Sequence, residues 1–329
     1  MTATTRLADI LRGPHVESTH HGAYAVTDAT GRIVLSGGDP HLPVFPRSAI
    51  KALQALPLLT EGAADRFALP DAALALACAS HTGLPEHTQT AAAMLHAAGR
   101  DLTCLECGTH WPSSPTATRA LAAAAQSPSA LHNNCSGKHA GFICTAIATQ
   151  EDPAGYVHPD HPAMARVTRA VAAATGASLT DANRATDGCS IPTYKIPLSA
   201  IATGFARFGT GRHLPTGFAQ AAARLRQAVA ANPTMVAGPG RFDTDITEAL
   251  RDTAFVKTGA EGVHAGALPT LGLGFAIKVM DGSNRAADAF AAALLRHFLP
   301  GHPVLDDWAY KPLTNWNGIE VGRVKAVLF

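Results

Sequence analysis

Apolar and polar residues alternate most regularly near the N-terminus. Residues 22–27 and 32–36 flank Asp28-Ala29-Thr30-Gly31, a turn with glycine where a left-handed residue is needed, and predict a β-hairpin across 20–38. Gly37-Gly38-Asp39-Pro40, then Pro43 and Pro46, read as a loop entering the helical run Ala49, Leu53, Leu56, which Pro57 should kink or end. From Pro70 the period lengthens, predicting helices over 71–79, 86–98 (stopped by Gly99), 116–126, 140–148, 159–175 and 218–231. Strand patterns return at 255–263, read as an edge with glycine bulges, at 272–280 before Asp281-Gly282, and at 318–328. A helix over 286–298 lies between the last two. Strands thus gather at both ends of the chain. The economical fold is α+β: an antiparallel sheet built from the N- and C-terminal segments, with helices packed on it and a helical region inserted. The expected layout is one domain, 1–329, with sheet regions near 14–48 and 250–329 and helices near 49–249.

Composition narrows the function. A chain of 329 residues can bury a large core, and 26 Lys+Arg against 25 Asp+Glu, with no basic run, argues against a nucleic-acid binder. No apolar run approaches the roughly 18 residues of a membrane span. Met1–Arg6 lacks an apolar leader core, so the expected location is cytoplasmic. Six cysteines in such a chain read as thiols rather than a disulfide framework. Cys78 and Cys144 fall in apolar helical runs, and Cys104-Leu105-Glu106-Cys107 is one CxxC without a second pair, read as structural.

Candidate chemistry centres on Ser48-Ala49-Ile50-Lys51. Positions three apart share a helix face, so Lys51 is expected to reach the Ser48 hydroxyl and act as its base if its surroundings lower its pKa. Alone the pattern is weak, and other stretches decide its meaning. Ser80-His81-Thr82-Gly83 presents a second hydroxyl from a loop. In Asn133-Asn134-Cys135-Ser136-Gly137-Lys138-His139, a helix entry, Cys135 and Lys138 face the same way. Asp187 and Cys189 lie on one side of an extended segment. Two cysteines make half a thiolate zinc site, and histidines to complete it are not evident, so spacing alone disfavours a metal.

Ser48-x-x-Lys51, Ser80 and Lys257-Thr258-Gly259 stand in an order that resembles the serine β-lactamase and penicillin-binding group, although Ser80-His81-Thr82 replaces the usual Ser-Asp-Asn. Pro46–Lys51, Ser80–Gly83, Cys107-Gly108-Thr109-His110-Trp111-Pro112, Asn133–His139, Asp187-Gly188-Cys189 and Lys257–Gly262 together resemble the bacterial L-asparaginase II family, of the Rhizobium etli type, from about residue 14 to the C-terminus. That resemblance implies a serine β-lactamase/glutaminase-like fold, a homodimer, and hydrolysis of L-asparagine to L-aspartate and ammonia. It implies Ser48 paired with Lys51, Ser80 paired with Lys257, and zinc on Cys135, Lys138 and Cys189 in a supporting role. Ser48 would be the nucleophile, with the oxyanion on its own N–H and one from the Lys257 strand. Arg47, His139 and Asp187 are the candidate substrate-binding residues. The rivals are a glutaminase or β-lactam-type hydrolase on the same scaffold, a non-catalytic zinc-dependent amino-acid sensor, and a thiol enzyme using Cys135.

Overall fold

A computed structural model describes residues 3–328. Eight strands form one antiparallel sheet: β1 (Thr5–Arg12), β2 (His15–Asp28), β3 (Ile33–Gly37), β4 (Phe255–Thr258), β5 (Val263–Leu268), β6 (Leu273–Val279), β7 (Pro312–Thr314) and β8 (Glu320–Ala326). Their order is β7-β8-β1-β2-β6-β5-β4, with β3 beside the second half of β2. The fold is therefore α+β, with the sheet drawn from both ends of the chain as expected.

The helices that build the site are α1 (Asp71–Ala77), α2 (Ser136–Ala148), α3 (Leu198–Thr210), α4 (Phe242–Leu250), α5 (Asn284–Phe298) and α6 (Pro303–Ala309). Alternation along the strands separates two cores. Ala23 and Ala25 join the inserted helices in one, while Tyr24 and Val26 join α5 in the other, where the Tyr24 and Phe290 rings are 4.9 Å apart. The face toward the helical insertion is built from small residues, and α3 settles directly on it. A Cβ at Gly274 would fall 2.1 Å from the Ala202 oxygen and 2.2 Å from the Ala206 nitrogen, so only glycine permits this approach. Phe205 and Phe208 of α3 then close on Phe255 of β4, with centroids 5.9 and 5.1 Å apart.

Several elements differ from the sequence reading. Strand β1 lies ahead of the expected sheet region. The 255–263 stretch is not one bulged strand: it is β4 plus a turn, with Glu261 and Gly262 at positive φ, leading into β5. The run after Ser48 breaks at Ala55, and Pro57 sits inside the second piece, Leu56–Thr60, near its start where proline is tolerated. The helix expected from 159 begins at Pro162, and α3 and α4 had no counterpart in the pattern reading.

Candidate active site

Ser48 lies in a single 3-10 turn, Arg47–Ile50, with Lys51 opening the helix that follows. Arg47 has φ +51, a left-handed conformation that costs a non-glycine residue about 1–3 kcal/mol and holds the Ser48 turn in a defined orientation. Strand β4 ends directly against this turn. A Cβ at Gly259 would lie 2.8 Å from the Pro46 oxygen and 3.1 Å from the Ala49 nitrogen. The absent side chain of the Lys257-Thr258-Gly259 stretch is therefore what lets the strand touch the serine turn.

Ser80 reaches the same place from the other side. It follows the C-terminal end of α1, and its N–H donates to the Val236 oxygen at 2.9 Å. Helices α1 and α2 meet where Gly137 faces Leu76, too close for any side chain, which brings Asn134 beside Ser80. Ser48, Ser80, Asn134, Asp243 and Lys257 all line one cavity of about 550 Å³. Arg241, Asn284, Arg285, Asp288, Trp308 and Lys311 line it as well.

The two lysines are bonded differently from the expected Ser48–Lys51 and Ser80–Lys257 pairs. The Lys51 amine is fully buried and contacts the Ala79 oxygen at 2.6 Å, the Ser80 hydroxyl at 3.0 Å and the Asn134 oxygen at 3.4 Å. Among the described residues, the hydroxyl it holds is that of Ser80, not Ser48. Lys257 donates instead to Asp243 Oδ2 and the Thr258 oxygen, both at 2.8 Å. Burial pushes the Lys51 pKa down, and the nearby Lys138 and Lys257 add to that against the opposing pull of Cys135 and Cys189. Desolvation, more than crowding by positive charge, is what favours its neutral form. Burial pushes the Asp243 carboxyl up, but Lys257 and His264 outweigh it and leave its pKa lowered.

Charge for a developing oxyanion has two natural partners. The Thr258 N–H is engaged by Asp243 and the Gly259 N–H by the Val263 oxygen. Among the described residues, the N–H groups of Ser48 and Ala260 have no acceptor, and both residues line the cavity.

Behind this wall sits a second polar group. Lys138 Nζ is 3.2 Å from Cys189 Sγ, and Cys189 Sγ is 3.9 Å from Asp187 Oδ2. Cys135 and Cys189 share a thiol hydrogen bond that leaves Cys135 well below its ordinary pKa and Cys189 raised. Burial lowers Lys138, but the Cys189 and Cys135 sulfurs overcome this and raise it. Among the described residues, no group of three or more His, Cys, Asp or Glu side chains could hold a metal. The trio has two thiols and an amine, all buried and convergent. As a donor set it fits a soft divalent ion such as zinc once the amine is deprotonated.

The expected substrate-binding residues do not stand in the cavity wall. Arg47 Nε donates to Asp187 Oδ1 at 2.5 Å, so the two neutralise each other. His139 is wholly buried on α2, its Nδ1 2.6 Å from the Tyr156 hydroxyl, and burial lowers its pKa well below the ordinary value. His81, next to Ser80, is likewise buried, with Nε2 2.8 Å from the Ser136 hydroxyl. The sequence reading missed Asp243, Asn134 and Ala260 as contributors. An acidic residue in the first turn of an unrecognised helix was the only signal for Asp243.

A family model described as L-asparaginase II matches residues 8–326. No curated protein matches the sequence. Similar solved structures include those described as Mglu in its native form, at 14% identity, 85% of this chain, 64% of that chain and a TM-score of 0.38. Another is Mglu in its native form in the presence of 4.3 M NaCl, at 15%, 85%, 61% and 0.38. The chain spans less than two thirds of those chains.

Proposed function

Because the chain belongs to the L-asparaginase II family, we propose that it is an amidohydrolase converting L-asparagine to L-aspartate and ammonia, as a cytoplasmic homodimer of the Rhizobium etli type. The observation that supports this most directly is the convergence of Ser48, Ser80 and Lys257 on one cavity, with the buried Lys51 amine against the Ser80 hydroxyl and the free N–H groups of Ser48 and Ala260.

Ser48 is the nucleophile. Its Oγ bonds to the side-chain amide carbon while its proton passes, by way of the Ser80 hydroxyl, to Lys51, whose burial favours the neutral amine. With Lys51 neutral, the Ser80 hydroxyl donates to it across their 3.0 Å contact. Ser80 is thus the relay: it gives a proton to the leaving nitrogen and recovers one from Lys51, so the C–N bond breaks with ammonia as product. The oxyanion rests between the Ser48 and Ala260 N–H groups. A water molecule then attacks the aspartyl ester, gives its proton to the same Lys51–Ser80 pair, and returns the Ser48 hydroxyl as aspartate leaves.

Cys135, Lys138 and Cys189 are the residues that would hold zinc, which when bound would tie the two sulfurs and the amine together beside the Arg47–Asp187 pair. Two thiolates damp its Lewis acidity, so its part is to shape the pocket rather than to activate water.

The test is ammonia release from L-asparagine and L-glutamine by the wild type and by Ser48→Ala. The expected result is release from asparagine that falls at least a thousandfold in the variant. Equal rates from the two proteins would remove the nucleophile, and preference for glutamine would reassign the substrate. Light scattering on the purified protein checks the dimer.

A further inference from the structure

The second lysine of the site is held by a residue that the proposed reaction does not yet use. We propose that Asp243 is a positioning residue: it clamps the Lys257 ammonium and Thr258 so that the free N–H of Lys257 points into the cavity, where charge develops during turnover. This rests on the amidohydrolase reading of the cavity and names a further part of its machinery.

The hydrogen bonds of Asp243 leave it no capacity for substrate. Its Oδ1 accepts from the Thr258 N–H at 2.9 Å and the Thr258 hydroxyl at 2.6 Å. Its Oδ2 accepts from Lys257 at 2.8 Å and the Thr258 N–H at 3.1 Å. Each carboxylate oxygen has about two lone-pair sites, so both are filled. The residue is 2% exposed. A carboxylate this saturated and this buried acts through what it holds.

What it holds is an ammonium with one donor to spare. Lys257 uses two N–H groups on Asp243 and the Thr258 oxygen, and a protonated lysine has three. Among the described residues the third has no acceptor, while Lys257 itself lines the cavity with Ser48 and Ser80. Lys51, in contrast, has no carboxylate against it: its amine contacts the Ala79 oxygen, the Ser80 hydroxyl and the Asn134 oxygen. The same side chain thus serves two offices. Lys51 moves a proton, and Lys257 is held in place by the carboxylate built against it.

The segment carrying Asp243 also ties the parts together. Val236 accepts from the Ser80 N–H, and Gly238, at φ +109, fits against Thr82 where a Cβ would meet its hydroxyl at 2.4 Å. One stretch, 236–243, therefore sets both the Ser80 loop and the Lys257 ammonium.

The experiment is a double-mutant cycle with Asp243→Asn, Lys257→Met and the two combined, read as kcat and KM for ammonia release. Each single variant should lose at least a hundredfold in kcat with KM within threefold, and the double variant should be no slower than either. Asp243→Asn retaining kcat within threefold would overturn the inference. So would a double variant that loses the product of both factors. If Asp243→Asn alone does not fold, the decisive comparison is within the Lys257→Met background, where no unpaired charge remains. Adding Asp243→Asn there should leave kcat unchanged, and a further tenfold fall would overturn the proposal. Labelling of Ser48 by diisopropyl fluorophosphate, followed by intact mass, runs in parallel. It should slow in the same pattern, and an unchanged rate in the single variants would count against the clamp. A wild type that releases no ammonia from either amide defeats the proposed function, while the labelling cycle still decides the role of Asp243.

Discussion

A lysine is a base only where losing its proton is easy, and the two buried lysines here answer that requirement in opposite ways. Lys51 has no carboxylate partner and lies in a desolvated pocket, so its pKa falls from the ordinary 10.5. The active form is the neutral one, so activity rises with pH as Lys51 loses its proton, with the acid limb centred below 10.5. Lys51→Arg cannot lose a proton at all. It should reduce kcat by about 10²–10⁴-fold across the pH range, the span expected for a lost general base, and steady-state ammonia release checks it. Asp243 gives the opposite sign in stability. Its folded pKa is lowered, so its contribution is fully present above the unfolded carboxylate pKa near about 4 and is lost as pH falls through the lower folded value. The wild type should therefore lose stability on acidification below about pH 4, and Asp243→Asn should flatten that loss. Leaving Lys257 buried without its partner should also cost about 3–5 kcal/mol at neutral pH, measurable by urea unfolding.

Between elements, the site depends on close approaches that side chains would prevent. Gly259→Ala would drive a methyl into the backbone of the Ser48 turn at 2.8 Å. The variant should keep its fold, with a cost of about 1–3 kcal/mol, and lose at least tenfold in kcat as the turn shifts. Thermal unfolding and ammonia release on one preparation test both halves. The same glycines explain what was legible in the sequence. Hairpin β2–β3 and the helix Phe218–Ala231 were readable because alternation and helical period are local properties. Helix α3 was not. Its Gly204 and Gly209 lower helix propensity, yet in the fold they lie close against Thr175 and Ala267, where an added Cβ would come within 3.0 and 2.9 Å. The 255–263 pattern reads as one bulged strand, across the turn and short of β5, because Glu261, a non-glycine residue, takes the left-handed turn position. The motif residues were legible one by one. Their pairing was not, since which amine meets which hydroxyl depends on how β4 and α1 converge.

At the scale of the molecule, the chain's two ends make the sheet and its middle makes the wall of the site, so contacts between distant segments decide whether the cavity keeps its shape. One such path runs from Lys138 on α2 to Cys189, to Asp187, and on to Arg47 beside the nucleophile. Its members are 51, 2 and 140 residues apart along the sequence, which is why spacing alone argued against a metal: the third donor is an amine, and only the fold brings it to the sulfurs. A metal held by Cys135, Lys138 and Cys189 would lock α2 to the loop that positions Arg47. Binding the folded state alone at a hundredfold excess over Kd stabilises by about 2.7 kcal/mol, which for a chain of this length corresponds to about 4 °C in Tm. Adding zinc to metal-free protein should raise Tm by that amount or more. The shift should vanish in Cys135→Ser combined with Cys189→Ser, and a chelator should reverse it. The absence of any shift in the wild type at saturating zinc would leave the trio as a thiol–ammonium cluster, and the Arg47–Asp187 pair would then be anchored by that cluster alone.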